Sequence, residues 1–199
     1  KVVQIWHACG AFKRFGLDAP SLLTPQEERL THCQYTAVCV SSEQVRPFYA
    51  QAFGLIIARV LPLGTPRTDA LLRDQTRSAL REELLTRRPE MRGKRIYLYT
   101  PTFREQNGKP CAYDPQINWE ALDDALADDE LFVIRRHPIM KESFLGGRSF
   151  RHIVDATREP TQALLTVASL VVTDYSSVIY DALLVRAAAG VLLPGPQCL

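Results

Sequence analysis

The sequence has no apolar run long enough to cross a membrane, since its longest apolar stretches have the length of a β-strand. It has no basic tract with interleaved aromatic residues, and its formal net charge is only +2, so nucleic acid is not an expected partner. Cysteine is sparse and scattered, and the five residues show neither disulfide-framework nor metal-ligand spacing. This usage fits a reducing cytosol. No carboxylate cluster calls for a metal, so we expect neither a metal nor a cofactor.

What is present is the composition of a globular protein. The chain has 199 residues, of which 46% are hydrophobic and 23% charged, which excludes disordered and fibrous classes. It begins at Lys1, without a methionine and one residue before a predicted strand. We therefore expect it to be a piece of a longer protein.

Hydrophobic periodicity predicts an α/β fold with parallel sheets, because short apolar runs alternate with helical patterns. The turn-rich segment from Pro62 to Asp69 is read as a hinge, which gives one domain over 1–64 and a second over 65–199, both incomplete. The predicted strands are Val2–Trp6, Thr36–Val40, Ile57–Leu61, Arg95–Tyr99, Leu131–Arg135, His152–Val154 and Ser169–Thr173. The predicted helices are Glu43–Phe53, Asp69–Leu85, Trp119–Leu126, Thr161–Ala168 and Ser177–Leu184.

The segment from Val172 to Asp181 predicts a phosphate site. A buried strand ends at Thr173, and a helix begins near Ser177. Free backbone amides at a helix N-terminus, together with the hydroxyls of Ser176 and Ser177, suit an anion. An ordinary helix cap that binds nothing is the alternative.

Other polar residues follow the neighbouring strands, and in a parallel sheet such strand ends meet at one edge. Arg104, Arg136 and His137 would neutralise a diphosphate and the charge on a departing nucleotide. Asp181 shares a helical face with Ser177 and would accept a hydrogen bond from a ribose or glycerol hydroxyl. Surface arginines, a His-Pro turn and an exposed helix charge are the competing interpretations.

His7 follows the first predicted strand, directly after Trp6. A neutral imidazole there is a candidate general base for an incoming hydroxyl, although a lone histidine is more often structural. Lys13 is a candidate for holding an anionic acceptor, with a solvated loop charge as the alternative. His32 and His152 receive no role.

Five motifs occur in a recognisable order: Gln4 to Gly16 with Trp-His, Gly64 to Asp69, Thr100 to Glu105, Arg136 to Pro138, and Thr173 to Val178 with Asp-Tyr-Ser-Ser. Together they resemble the CDP-glycerol glycerophosphotransferase family of teichoic acid synthesis. The Trp-His-Ala-Cys-Gly version here departs from the Trp-His-Gly-Thr-Pro form of polymerases and is closer to primases, which leaves the acceptor open.

The resemblance implies a glycosyltransferase-B-like fold of two Rossmann-like domains, with the nucleotide held mainly by the second and the acceptor by the first. It implies transfer of glycerol phosphate, or in some members ribitol phosphate, from a CDP-alditol to a lipid-linked glycan acceptor at the cytoplasmic face of the membrane, with release of CMP. His7 falls on the motif of the base. His137, Arg104, Ser176, Ser177 and Asp181 fall on the donor-site motifs.

After Arg186 the sequence departs from the family pattern, and a shift of one base in the reading frame can restore it. We therefore predict a truncated or frameshifted tail, without the last strand, which would expose a sheet edge and favour oligomers or instability. Two other functions stay open: a sugar-nucleotide glycosyltransferase or epimerase of the same fold, and an inactive fragment that only binds nucleotide.

Overall fold

The computed structural model describes residues 1–19, 23–106, 109–111, 115–140 and 143–191. The chain divides into two compact units, Lys1–Asp69 and Ala70–Leu199. Within the described ranges, no helix is both long and apolar enough to span a bilayer.

The first unit is a three-stranded parallel sheet with two helices. In chain order its elements are β1 (Val2–Gln4), α1 (Pro25–His32), β2 (Tyr35–Cys39), α2 (Arg46–Phe53) and β3 (Val60–Leu61), and the strand order is β1-β2-β3. Its core is aromatic, with Tyr49 and Phe53 of α2 packed on Val38 and Val60.

Glycine is sterically required where α2 meets the loop after β1. Gly16 has a φ of +55°, and a Cβ there would lie 2.2 Å from the carbonyl oxygen of Ala52. Gly54 ends α2 in the left-handed conformation, which glycine adopts without steric cost.

The second unit is a five-stranded parallel sheet covered on both faces. Its elements are α3 (Asp69–Leu72, which spans the boundary), α4 (Asp74–Arg87), β4 (Arg95–Thr100), β5 (Arg104–Gln106), β6 (Lys109–Cys111), α5 (Trp119–Ala125), β7 (Glu130–Ile134), β8 (Ile153–Asp155), α6 (Thr161–Leu165), β9 (Ala168–Thr173), α7 (Val178–Leu184) and β10 (Ala188–Val191). The order is β10-β9-β4-β7-β8, every pair is parallel, and β5 and β6 form a separate antiparallel pair.

Side chains alternate between the two faces of this sheet. One face packs Leu98, Val133 and Val171 against α4, α6 and α7, whereas the other packs Tyr99 and Ile134 against Trp119 of α5. Strands buried on both faces explain the continuous apolar runs in the sequence. The prediction of parallel sheets with helices is confirmed.

Several predicted boundaries differ from the structure. The segment 57–61 begins as a 3-10 helix, Ile57–Arg59, and only Val60–Leu61 is a strand. The helix predicted over Asp69–Leu85 breaks at Arg73, which has extended dihedral angles. The first strand ends at Gln4, because Trp6 has a φ of +40°, outside the range of a strand.

The predicted absence of a last strand is wrong. β10 pairs in parallel with β9, from Ala188 opposite Leu170 to Val191 opposite Thr173. The sheet therefore has a fifth strand at the edge where a bare edge was expected. The frameshift itself, which concerns the encoding DNA, stays a prediction.

Candidate functional site

Three adjacent strands of the second unit are followed by segments that contain the residues that the sequence singles out. Because β9, β4 and β7 are neighbours in that order, the segments that follow them start at the same edge of the sheet. They are separated by about 5 Å per strand. Ligands of open α/β sheets bind at this edge.

Asp174 connects the segments after β4 and β9. It is only 4% exposed, and its carboxylate accepts hydrogen bonds from the Thr102 amide at 2.9 Å and the Thr102 hydroxyl at 3.0 Å. The guanidinium of Arg104 forms an ion pair with Asp174, with Nη2 2.9 Å from Oδ2, and also donates to the Thr102 hydroxyl at 2.8 Å. Asp174, which the sequence analysis did not select, therefore orients the predicted phosphate-binding Arg104.

Ser176 and Ser177 lie at the start of α7, as predicted, but the turn offers fewer free amides than expected. The amide of Ser176 donates to the Asp174 carbonyl at 2.9 Å, that of Val178 to the Ser176 hydroxyl at 3.3 Å, and that of Tyr180 to the Ser177 carbonyl at 3.1 Å. The amides of Tyr175 and Ser177 make no hydrogen bond within the described residues. An anion at the start of α7 would meet the Ser177 amide and the side chains of Ser176 and Ser177, two partly exposed residues.

His137 follows β7 and is exposed. Its Nδ1 accepts the Ile139 amide at 3.3 Å, so in the neutral ring the proton is assigned to Nε2. The ring lies against Phe103, with centroids 4.7 Å apart. The imidazole is thus oriented to donate from Nε2.

Arg136 is not placed as a surface cation. It is 7% exposed and donates to Asp155 Oδ2 and to the Met140 carbonyl, both at 3.0 Å. Its guanidinium also lies over the ring of Phe144, 5.9 Å from the centroid. Burial by itself would raise the pKa of Asp155, but hydrogen bonds from Thr157 and the charge of Arg136 hold that pKa below its usual value.

Asp181 of α7 is 2% exposed. The interpretation as an exposed helix charge is therefore wrong. A contact with a ribose or glycerol hydroxyl stays a prediction. Lys13, in the first unit, is exposed, and its predicted role is likewise untested.

His7 is held on a strained turn of the first unit. Trp6 carries the positive φ, its amide donates to Gln4 Oε1 at 2.8 Å, and its ring packs 4.5 Å from that of His7. The hydroxyl of Tyr49 donates to the Gly10 carbonyl at 2.9 Å and so fixes the loop beyond. Positive φ in a bulky residue is costly, and here it presents the exposed imidazole of His7.

Partial desolvation of the ring, and then the positive charge of Arg67, lower the pKa of His7 below its usual 6.5. A lower pKa keeps the imidazole neutral to lower pH, as a base requires. We expect Arg67→Met to raise the pKa of His7, because removing the positive charge favours the imidazolium. An NMR titration of His7 measures this shift, with the exposed Arg29→Met as control. An unchanged titration of His7 would show that burial alone sets its pKa.

The two unassigned histidines have structural surroundings. The ring of His32 lies 3.1 Å from Glu28 Oε2 and 3.2 Å from the Tyr35 hydroxyl. His152 contacts the Asp123 carbonyl at 3.1 Å through Nδ1. Among the described residues no group of three or more His, Cys, Asp or Glu is placed to hold a metal ion.

The model of the family CDP-Glycerol:Poly(glycerophosphate) glycerophosphotransferase matches residues 1–186. The match ends at the residue after which the sequence departs from the expected pattern. The chain is 35% identical, over 193 residues, to a teichoic acid poly(ribitol-phosphate) polymerase of Bacillus spizizenii, covering 90% of this chain and 30% of that protein. It is 27% identical, over 186 residues, to a teichoic acid glycerol-phosphate primase of Bacillus subtilis, covering 91% and 47%.

Among solved structures, a variant of the wall teichoic acid polymerase TagF superimposes with a TM-score of 0.76 at 22% identity, covering 94% of this chain and 48% of that chain. The fold is therefore glycosyltransferase-B-like, and the chain spans about a third to a half of the length of these relatives. The match over residues 1–186 shows that the chain belongs to the CDP-Glycerol:Poly(glycerophosphate) glycerophosphotransferase family.

Proposed function

We propose that the chain is part of an enzyme that transfers glycerol phosphate from CDP-glycerol to a hydroxyl of a lipid-linked teichoic acid or other cell-surface polymer, releasing CMP. The observation that carries this proposal is the common sheet edge of Arg104, His137, Ser176 and Ser177, in a chain of this family. We further propose that it acts at the cytoplasmic face of the membrane, where a lipid-linked glycan would be presented.

The donor diphosphate is assigned to the second unit. The Ser177 amide, the hydroxyls of Ser176 and Ser177 and the guanidinium of Arg104 supply donors to its oxygens. His137 donates from Nε2 to the phosphate of the departing CMP. Transfer of this kind depends on positioning and charge stabilisation more than on covalent catalysis.

In the reaction, an acceptor oxygen bonds to the phosphorus that carries glycerol, and the bond from that phosphorus to the CMP phosphate oxygen breaks. The acceptor loses its proton to His7, the proposed base, whose lowered pKa keeps it neutral. Asp181 and Lys13 are proposed contacts of the alditol hydroxyls and of an anionic acceptor.

Ribitol phosphate is the second candidate group. Identity with the ribitol-phosphate polymerase is 35%, against 27% with the glycerol-phosphate primase. The same comparison does not favour the primase-like interpretation of the Trp-His segment, so the acceptor stays open.

A donor competition assay tests the function. We expect acceptor-dependent CMP release from CDP-glycerol or CDP-ribitol, with the preferred alditol giving the higher kcat/KM. UDP-sugars serve as controls, because turnover of a UDP-sugar would favour a sugar-nucleotide glycosyltransferase or epimerase. Binding of a CDP-alditol without any CMP release would indicate an inactive nucleotide-binding fragment.

A further inference from the structure

The two arginines that the sequence assigns to the donor diphosphate are already compensated by carboxylates. Arg104 pairs with Asp174 at 2.9 Å, and Arg136 pairs with Asp155 at 3.0 Å. Each pair is close to neutral, so it contributes hydrogen-bond donors and little net positive charge. A diphosphate carries two negative charges, and a cation that no internal carboxylate neutralises attracts it more strongly than a paired one.

Arg135, between β7 and Arg136, is such a cation. In the ranges that the structure describes, its guanidinium makes neither a hydrogen bond nor an ion pair, and its Nε is buried without an acceptor. The side chain is only partly exposed, and burial lowers its pKa. Holding an uncompensated charge away from water is costly, and an anion at the guanidinium would offset that cost.

The alternation of β7 places Arg135 on the side of the sheet that carries α7. Val133 belongs to the hydrophobic cluster that contains Val178 of α7, whereas Ile134 belongs to the cluster on the opposite face. The Arg135 amide donates to the Tyr99 carbonyl at 2.8 Å, so the ladder and its alternation continue through this residue. Arg136 therefore points to the other face, where it meets Phe144.

Arg135 and the start of α7 thus lie on one face and at one edge of the sheet. The strands β9 and β7 are separated only by β4, which sets their ends about 10 Å apart. A diphosphate bound at Ser176 and Ser177 can therefore extend from the start of α7 toward Arg135.

We propose that Arg135, and not Arg136, supplies the uncompensated positive charge that binds the diphosphate of the nucleotide. Arg136 instead stabilises the segment that contains His137, through its contacts with Asp155 and the Met140 carbonyl. This assignment rests on the proposed donor site. Arg135 is a binding residue that the sequence analysis passed over, because the two arginines are adjacent and only their sheet faces distinguish them.

The test uses the whole chain and four variants: Arg135→Met, Arg135→Lys, Arg136→Met and Arg151→Met. Arg151 lies at the amino end of β8, and its side chain is 72% exposed, so it controls for general charge. The probes are inorganic pyrophosphate, CDP-glycerol and CDP-ribitol, followed by thermal shift and by calorimetric Kd.

We expect Arg135→Met to leave the Tm of the free protein unchanged or slightly raised, because an unpaired charge is removed. Its affinity for pyrophosphate and for the CDP-alditol should fall about tenfold to a hundredfold, as loss of a charge-assisted contact predicts. Arg135→Lys should recover part of that loss, since it restores charge but not the bidentate geometry. Arg136→Met should lower the Tm without any ligand, because Asp155 loses its partner.

Equal ligand affinity in Arg135→Met and the unsubstituted chain would overturn the assignment, and so would a large drop in the Tm of the free variant, which would show a structural role. Stabilisation of the unsubstituted chain by pyrophosphate, lost in Arg135→Met, supports it even if no CDP-alditol binds. In that case only the proposed function fails. A chain that binds neither pyrophosphate nor a CDP-alditol contradicts both.

Discussion

Acceptor-dependent CMP release is expected to fall by about 10²- to 10⁴-fold when His7 is replaced by alanine, the range typical for loss of a general base. The physical reason is that the acceptor hydroxyl then has no group of suitable pKa to take its proton. His7 is exposed on a turn in which Trp6 has a positive φ and the Tyr49 hydroxyl donates to the Gly10 carbonyl. The substitution therefore removes the imidazole without leaving a cavity in the hydrophobic core. The measurement is kcat/KM for the preferred CDP-alditol.

Two observations separate this loss from unfolding. The Kd for the nucleotide should be unchanged, because the groups proposed to bind the donor belong to the second unit. The exposed Gln26→Ala in α1 should retain full activity. Loss of nucleotide binding in His7→Ala would remove the base assignment, as would CMP release within threefold of the unsubstituted chain.

The arrangement of the second unit followed from the sequence because its strands are buried on both faces. Runs such as Leu131 to Ile134 are apolar throughout, and helical patterns separate them, so a parallel sheet whose strand ends share one edge was predictable. The residues at that edge were found by position alone. His137 after β7 and the two serines before α7 lie where the sequence predicts, whereas their roles stay predictions.

Other features depend on tertiary contacts that a single sequence does not contain. The contacts of Asp174 become visible only when Thr102 and Arg104 are brought next to β9. The proposed role of Arg135 becomes visible only when strand alternation separates it from Arg136. The helix α1 is different, because its signal was present and missed. Thr24, Pro25 and Glu27 form a capping box with proline at the first turn, a known start signal.

The strand β10 shows a third limit. Ala188 to Val191 contains alanine and glycine, which have low strand propensity, and its sequence departs from the family pattern. Pairing with β9 nevertheless places it in the sheet, because the parallel neighbour offers unpaired backbone groups at the edge. Context decides the structure of such a segment.

The largest expected effect on stability is that of Asp174→Ala, which should lower the free energy of unfolding of the second unit by about 3 to 5 kcal/mol, the usual result of breaking a buried ion pair. Its carboxylate accepts from the amide and hydroxyl of Thr102 and pairs with Arg104, and the two charged side chains are 5% and 16% exposed. Removal leaves a largely buried guanidinium without its carboxylate partner and the Thr102 amide without its acceptor. Urea unfolding, followed by circular dichroism, measures the change.

A double-mutant cycle distinguishes orientation from packing. Asp174→Asn keeps the size of the side chain and an acceptor for the Thr102 amide, so it should cost less than alanine while still releasing Arg104. Combined with Arg104→Met, it should cost less than the sum of the two single changes, because each removes the same ion pair. Strict additivity would mean that the 2.9 Å contact contributes nothing, and Arg104 would then need another residue to hold it at the phosphate.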